Sequence, residues 1–405
     1  MKIGYLCFTS FIHNEESIRQ QSDSFITGLK DLSGHDFVEI TESEWGKQDL
    51  SVVFIRSGGT ENMFKEFYLR LPRKDKIIIL TYGYHNSLAA AMEILSYINQ
   101  NGGEGEILHG SNVYIVERLN ELSHPKQGIE ALKGSRLGVI GKPSDWLIAS
   151  DVNYNIVKDS LGIQLIDISM AEFSELVALT KVDKSEPEYQ ELEKKNDKGL
   201  DILPTIRIYR ALRKIADKYR LDGLTIRCFD LLSSFTSTGC VGLAYLNSLG
   251  ISGACEGDIP TLITMYFANK VLKELGFQAN PSFINVEKKE IIFAHCTLPF
   301  KMVSEYSLNT HFESGLGVGI KGEFKKQTVT IFKIGNDLSS YYVSKAELVE
   351  NLNEPNLCRT QIKLKIDGDV SYFLNHSLGN HHLIILGDHV SEIDRILSSK
   401  MRRVK

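Results

Sequence analysis

Residues 76–82 read KIIILTY, an unbroken apolar run far too short to cross a membrane. A bilayer span needs about 20 apolar residues, whereas a short, uniform run predicts a strand covered on both faces, as in a parallel sheet flanked by helices. The surrounding sequence repeats the theme. Residues 2–8, 36–40 and 51–55 are further β-rich runs, and helix-spaced stretches at 15–32, 61–71 and 87–99 separate them. Such alternation predicts a doubly wound α/β domain over residues 1–130 with a mainly parallel sheet.

The segment HPKQGIEALKGS (residues 124–135) is polar, with Pro and Gly, and reads as a linker. Alternation then restarts. Strand-like runs at 136–143, 164–169, 222–229 and 252–258, with helices at 152–161, 185–198, 204–219, 238–249 and 259–275, predict a second α/β domain over 131–277. Arg207, Arg210, Arg213 and Lys214 recur at helical spacing and read as a solvated basic face. After Gly276 helical periodicity fades, and EIIFAHC, QTVTIFKI, SSYYVS, RTQIKLKI and HLIILG follow one another. A β-rich third domain, 278–405, finished by a helix at 390–401, is the expectation.

Global charge excludes two classes of partner. With 46 Lys and Arg against 51 Asp and Glu, the formal net charge is −5 and the pI about 6.2, so nothing draws the chain to nucleic acid or an anionic membrane. The six cysteines form no CxxC pair and read as buried free thiols of a reducing, cytoplasmic compartment. The opening residues lack a small-residue cleavage site and run into His13 and Asn14, so a first strand is expected there rather than a signal peptide.

Three segments carry potential chemistry. In Ala254-Cys255-Glu256-Gly257-Asp258 a strand ends in two carboxylates and opens a helix. The carboxyl ends of strands are where α/β sheets bind ligands; Asp258 alternatively reads as an N-cap, with Glu256 exposed near the helix's positive end. In Phe293-Ala294-His295-Cys296 a histidine lies within a strand, either packed or a ligand. The stretch Gly379 to His389 holds three histidines and an acid. His381 and His382 point to opposite faces if extended, so at most one serves a given site. The glycines at 315, 317 and 319 do not form a dinucleotide fingerprint, since no helical pattern follows them.

These segments resemble the L-fucose isomerase/L-arabinose isomerase superfamily. ACEGDIPTLITMYFA resembles its strand-to-helix motif with the first catalytic glutamate, here Glu256. FINV, residues 283–286, is similar to the stretch giving the second carboxylate, here Asn285. FAHC is similar to a segment with a metal-binding histidine, His295, and GNHHLIILGDH resembles the C-terminal histidine motif. The resemblance implies two Rossmann-like domains followed by a barrel-like β domain. It implies a divalent metal, usually Mn2+, held by Glu256, Asn285, His295 and His381 or His382. The implied activity is aldose–ketose interconversion of a small sugar through a cis-enediol, in a homo-oligomer (trimer or hexamer) with its active site at a subunit boundary. Asn285 is a departure, because an amide oxygen can coordinate but cannot act as a base. Glu287 or Asp258 stands in for the missing carboxylate, or the site has become a non-catalytic, sugar-binding or regulatory one. Asn375 and the 136–146 region are candidates for substrate contact.

Overall fold

The computed structural model describes residues 1–10, 15–71, 76–398 and 400–404; His13 and Asn14 lie outside the described residues. The chain forms two compact units, Met1–Gln127 and Gly128–Lys405.

In the first unit β1 (Lys2–Phe8), β2 (Asp36–Glu39), β3 (Leu50–Ile55), β4 (Ile77–Leu80) and β5 (Gly105–Leu108) form one parallel sheet in the order β2-β1-β3-β4-β5. Alternate residues divide between two apolar clusters. Val52, Phe54, Ile78 and Leu80 join one, while Val53, Ile55, Ile77 and Ile79 join the other. That is why KIIILTY shows no polar alternation: both faces of its strand are covered. β5 was not anticipated, being four residues behind a glycine-rich turn. A helix, Asn112–Glu130, runs through the first half of the expected linker.

The second unit starts with another parallel sheet, β6 (Arg136–Ile140), β7 (Gln164–Ile168), β8 (Gly223–Ile226) and β9 (Ser252–Cys255), ordered β7-β6-β8-β9. The basic helix Leu203–Tyr219 is not simply solvated, since Arg210 pairs with Glu186 and Glu188 at the start of the helix Pro187–Glu193. The long helix expected at 259–275 is an α-helix only over Ile259–Phe267, and a π-turn, Ala268–Leu272, ends it.

The remaining strands are β10 (Gly276–Asn285), β11 (Glu290–His295), β12 (Glu305–Asn309), β13 (Gly319–Glu323), β14 (Thr328–Ile334), β15 (Ser340–Asn351), β16 (Thr360–Ile366), β17 (His382–Leu386) and β18 (Arg402–Val404). β14, β17, β10, β11, β16 and β15 pair in sequence, and β14 also pairs with β15, so the antiparallel sheet closes into a barrel. β12 and β13 form a separate hairpin, and β18 lies parallel to β15. Every barrel strand gives residues to one core cluster, among them Phe277, Phe293, Ile331, Tyr342, Leu364 and Ile384. The opposite face of β14 and β17, with Phe332, Ile334, Leu383 and Ile385, packs with Ile259, Leu262, Ile263 and Phe267. All nine residues of Ile259–Phe267 are buried, so this helix fixes the end of β9 against the barrel wall.

Candidate active site

The site lies where β9 ends. Glu256 follows that strand with φ of 63°, a left-handed conformation that is unusual for a residue with a side chain. Gly257 continues it with φ of 72°, and a Cβ there would come within 2.1 Å of the Lys142 carbonyl oxygen, so no other residue fits. This sharp turn directs the Glu256 carboxylate away from the sheet and toward the barrel.

Two imidazoles meet it. Glu256 Oε1 lies 3.5 Å from His381 Nε2 and 3.7 Å from His295 Nε2. Glu256 and the two histidines are buried, and the ligand-type atoms lie within 4.8 Å of one another. Both Nε2 atoms are sequestered without a hydrogen-bond partner. Buried polar nitrogens are normally satisfied, so one more group at their shared focus would complete the arrangement. Atoms sharing a first-row divalent ion at about 2.1 Å are separated by roughly 3–3.5 Å, close to the spacing seen. The donors, one carboxylate and two imidazoles, suit such an ion.

His381 is oriented from behind. Its Nδ1 donates to Asp258 Oδ2 at 2.8 Å, which fixes the ring so that Nε2 faces Glu256. Asp258 is fully buried and does double duty, because its Oδ1 also accepts the Thr261 backbone N–H at 2.8 Å as the N-cap of Ile259–Phe267. Lys333 Nζ stands 3.6 Å from that same oxygen and donates to Thr261 Oγ1 at 2.7 Å. His295 is held differently: the Thr297 backbone N–H donates to its Nδ1 at 3.3 Å, so the ring carries its proton on Nε2, facing Glu256.

Charge is tightly linked here. Burial would raise the Glu256 carboxyl, but His381 and His295 outweigh it and hold the group well below the usual carboxylate range. Asp258 is likewise held low against burial by Lys333 and His381. Burial lowers His381, yet Glu256 and Asp258 together raise it to about 9. Burial lowers His295 and takes His382 down to about 3, leaving both rings neutral.

Of the residues singled out in the sequence, the fold brings Glu256, Asp258, His295 and His381 together. His382 faces the other way, as strand alternation requires: its Nε2 pairs with Tyr372 Oη at 2.9 Å and its Nδ1 with the Asn380 carbonyl at 3.1 Å. Both ring nitrogens are thereby engaged, and as a metal ligand it is corrected to a core residue. Asn285 is not at the site. Its side-chain oxygen accepts the Lys288 backbone N–H in the β10–β11 hairpin, roughly 15 Å along the strand from the level of His381. Glu287 is exposed in that same turn rather than on a strand face, and Asn375 is exposed at the end of the helix Ser371–Asn375.

Asn280 of β10 pairs with Ala294, and the adjacent Ala279 pairs with His382, so Asn280 lies between the strands that bear His295 and His381. Its Oδ1 is buried without a partner. Trp146 Nε1 donates to Glu256 Oε2 at 2.8 Å. His311, lowered to about 4 by burial and the nearby His295, packs edge-on against Phe229 with ring centres 5.1 Å apart, and Phe229 packs edge-on against Trp146 at 4.9 Å. Glu313 is also close enough for Glu256, after burial, to raise its carboxyl. The Trp146 segment was visible only as a region following a strand, and nothing in the spacing of Asn280, His311 or Glu313 announces them.

No family model matches the chain. It is similar to a sulfoquinovose isomerase of Alkalicoccus urumqiensis, 21% identical over 332 residues that span 77% of this chain and 74% of the relative. Sulfoquinovose isomerases of Priestia aryabhattai and Priestia megaterium are each 24% identical over 308 residues, 70% of this chain and 68% of theirs. On this likeness the chain is an enzyme of the isomerase type.

Proposed function

We propose that the chain is a divalent-metal-dependent aldose–ketose isomerase of the L-fucose/L-arabinose isomerase kind. Sulfoquinovose, the sugar in its relatives' name, is the first substrate to try. The observation that carries the reading is the convergence of Glu256 Oε1 with two buried, unpartnered imidazole nitrogens. Glu256, His381 and His295 would hold the metal, Mn2+ by resemblance, and the ion would supply a Lewis acid for the sugar's carbonyl and hydroxyl oxygens. His295 must move its proton to Nδ1 to join them, and His381, raised to about 9, must give up its Nε2 proton to the solvent as the ion enters.

The chain's own groups account for the rest. Asp258 keeps the His381 proton on Nδ1, and Lys333 keeps Asp258 charged. Isomerisation moves a proton between adjacent carbons through a cis-enediol, and Glu256, ionised and inside the cluster, is the base at hand. Asn280 is placed to hold a hydroxyl but cannot take a proton. A three-domain division (1–130, 131–277, 278–405), a cytoplasmic setting consistent with six free thiols, and a homo-oligomer with shared sites complete the proposal.

A second reading, a sugar-binding or regulatory protein without isomerase activity, is favoured by the lone carboxylate among the three clustered ligand groups. Metal analysis with a ketose assay separates the two. The isomerase reading expects about one metal per chain and ketose formation, both lost in Glu256→Gln. Activity retained in Glu256→Gln excludes this site, and sugar binding with far less than one metal per chain supports the second reading.

A further inference from the structure

We infer that Trp146 is a positioning residue whose indole N–H holds one oxygen of Glu256, so that the other alone faces His295 and His381. The inference rests on the reading of Glu256 as the centre of the site. The segment after β6 grips the Glu256 turn at three points. The Trp146 N–H binds Oε2 at 2.8 Å, the Ser144 backbone N–H donates to the Glu256 carbonyl at 3.0 Å, and the Lys142 carbonyl packs against Gly257 so closely that a Cβ there would sit at 2.1 Å. Both the main chain and the side chain of a left-handed glutamate are thereby fixed by one loop, at the point where the β7-β6-β8-β9 sheet changes winding direction.

Packing does not explain the tryptophan. It is 53% exposed, and among the described residues its one ring contact is the edge-on stack on Phe229. An indole N–H donates and never accepts, and a bond from it to a carboxylate is charge-assisted and directional. With Oε2 so occupied, Glu256 presents a single oxygen, Oε1, to the two imidazoles and to anything bound between them. Without the N–H, the carboxylate is free to rotate on its last bond and share both oxygens.

The test uses the full chain and Mn2+ as the probe. Trp146→Phe keeps an aromatic ring beside Phe229, a smaller one, and removes the donor. Mn2+ affinity, read from the free-ion electron paramagnetic resonance signal, is expected to fall 10- to 100-fold, the range typical of partners that orient metal ligands, with the melting temperature unchanged. Independently of metal, the chain has two tryptophans, so an isotope-labelled sample gives two indole N–H resonances, and Glu256→Gln is expected to move the one from Trp146 while leaving Trp45 in place. Affinity within twofold of the unaltered protein, or an indole resonance that Glu256→Gln does not move, overturns the inference. If the unaltered protein takes up no divalent metal, the isomerase reading falls, and the indole resonance alone then decides: a shift upholds the hold on Glu256 and no shift overturns it.

Discussion

In β1–β5 and again in β6–β9 the second strand flanks the first and the chain then winds to the other side, so each sheet has a reversal point where ligands are expected at the carboxyl ends. The two ends are furnished differently. Beyond β4 lies an open cavity of about 440 Å3 lined by Tyr82, Tyr84, His85, Asn86, Met92 and His109. His85 and Asn86 are left-handed there, with φ of 54° and 55°. Beyond β9 the barrel strands close over the end of the sheet and bury Glu256, Asp258, His295 and His381 together. Strand order chooses the end of the sheet; burial against a second layer, with opposite charges left to compensate one another, turns that end into a place for chemistry.

The contrast is broken most severely at Asp258. Asp258→Ala leaves Lys333 buried without its counter-charge, removes an N-cap and frees His381, so a loss of about 3–5 kcal/mol is expected in urea unfolding. The folded carboxyl is held below its unfolded value. Its contribution is therefore present above about pH 4 and fades as acid approaches the lower folded value, so the gap between the two proteins should narrow below pH 4.

Next comes the histidine pair. His381→Ala is expected to weaken Mn2+ binding by more than the roughly 100-fold that orienting partners cost. His382→Phe removes the Nε2 acceptor of the Tyr372 hydroxyl, whose oxygen still takes the Leu378 N–H at 3.1 Å, and is expected to cost about 1–3 kcal/mol of stability while Mn2+ binds as before. Equal metal losses in the two would mean that the neighbours share a face. Smaller still, Asn280→Ala is expected to raise the KM for sugar, whereas Asn285→Ala at the hairpin leaves kcat, KM and melting temperature unchanged. Smallest of all, Tyr84→Ala beside the open cavity is expected to leave Mn2+ affinity within twofold, and a larger change would give the first sheet a part in the metal site.

Much of the fold was legible because burial writes itself into periodicity. KIIILTY could only be a strand with two covered faces, and the loss of helical spacing after Gly276 marked the start of the barrel within two residues. The helix Asn112–Glu130 hid behind the Pro and Gly of 124–135, which local propensity assigns to a linker. At the site, Glu256 and Asp258 were visible as two acids at a strand-to-helix junction, and strand alternation allowed only one of His381 and His382, of which His381 lies beside Glu256. The resemblance points to Asn285 and not to Asn280, because a short motif fixes residue type better than register. A shift of five residues along β10 carries a side chain from the imidazoles to a solvent-exposed turn. Trp146 and His311 reach the cluster from loops, and no local pattern foretells a contact that spans 110 residues of chain.

The proposed isomerase site requires one cation shared by Glu256 and an imidazole. Anomalous scattering at the manganese edge, from crystals grown with Mn2+, tests it most directly. A single strong peak within bonding distance of Glu256 Oε1 and His381 Nε2 is the predicted result. Saturating Mn2+ with no peak near those atoms, or a peak held by other side chains, would contradict it.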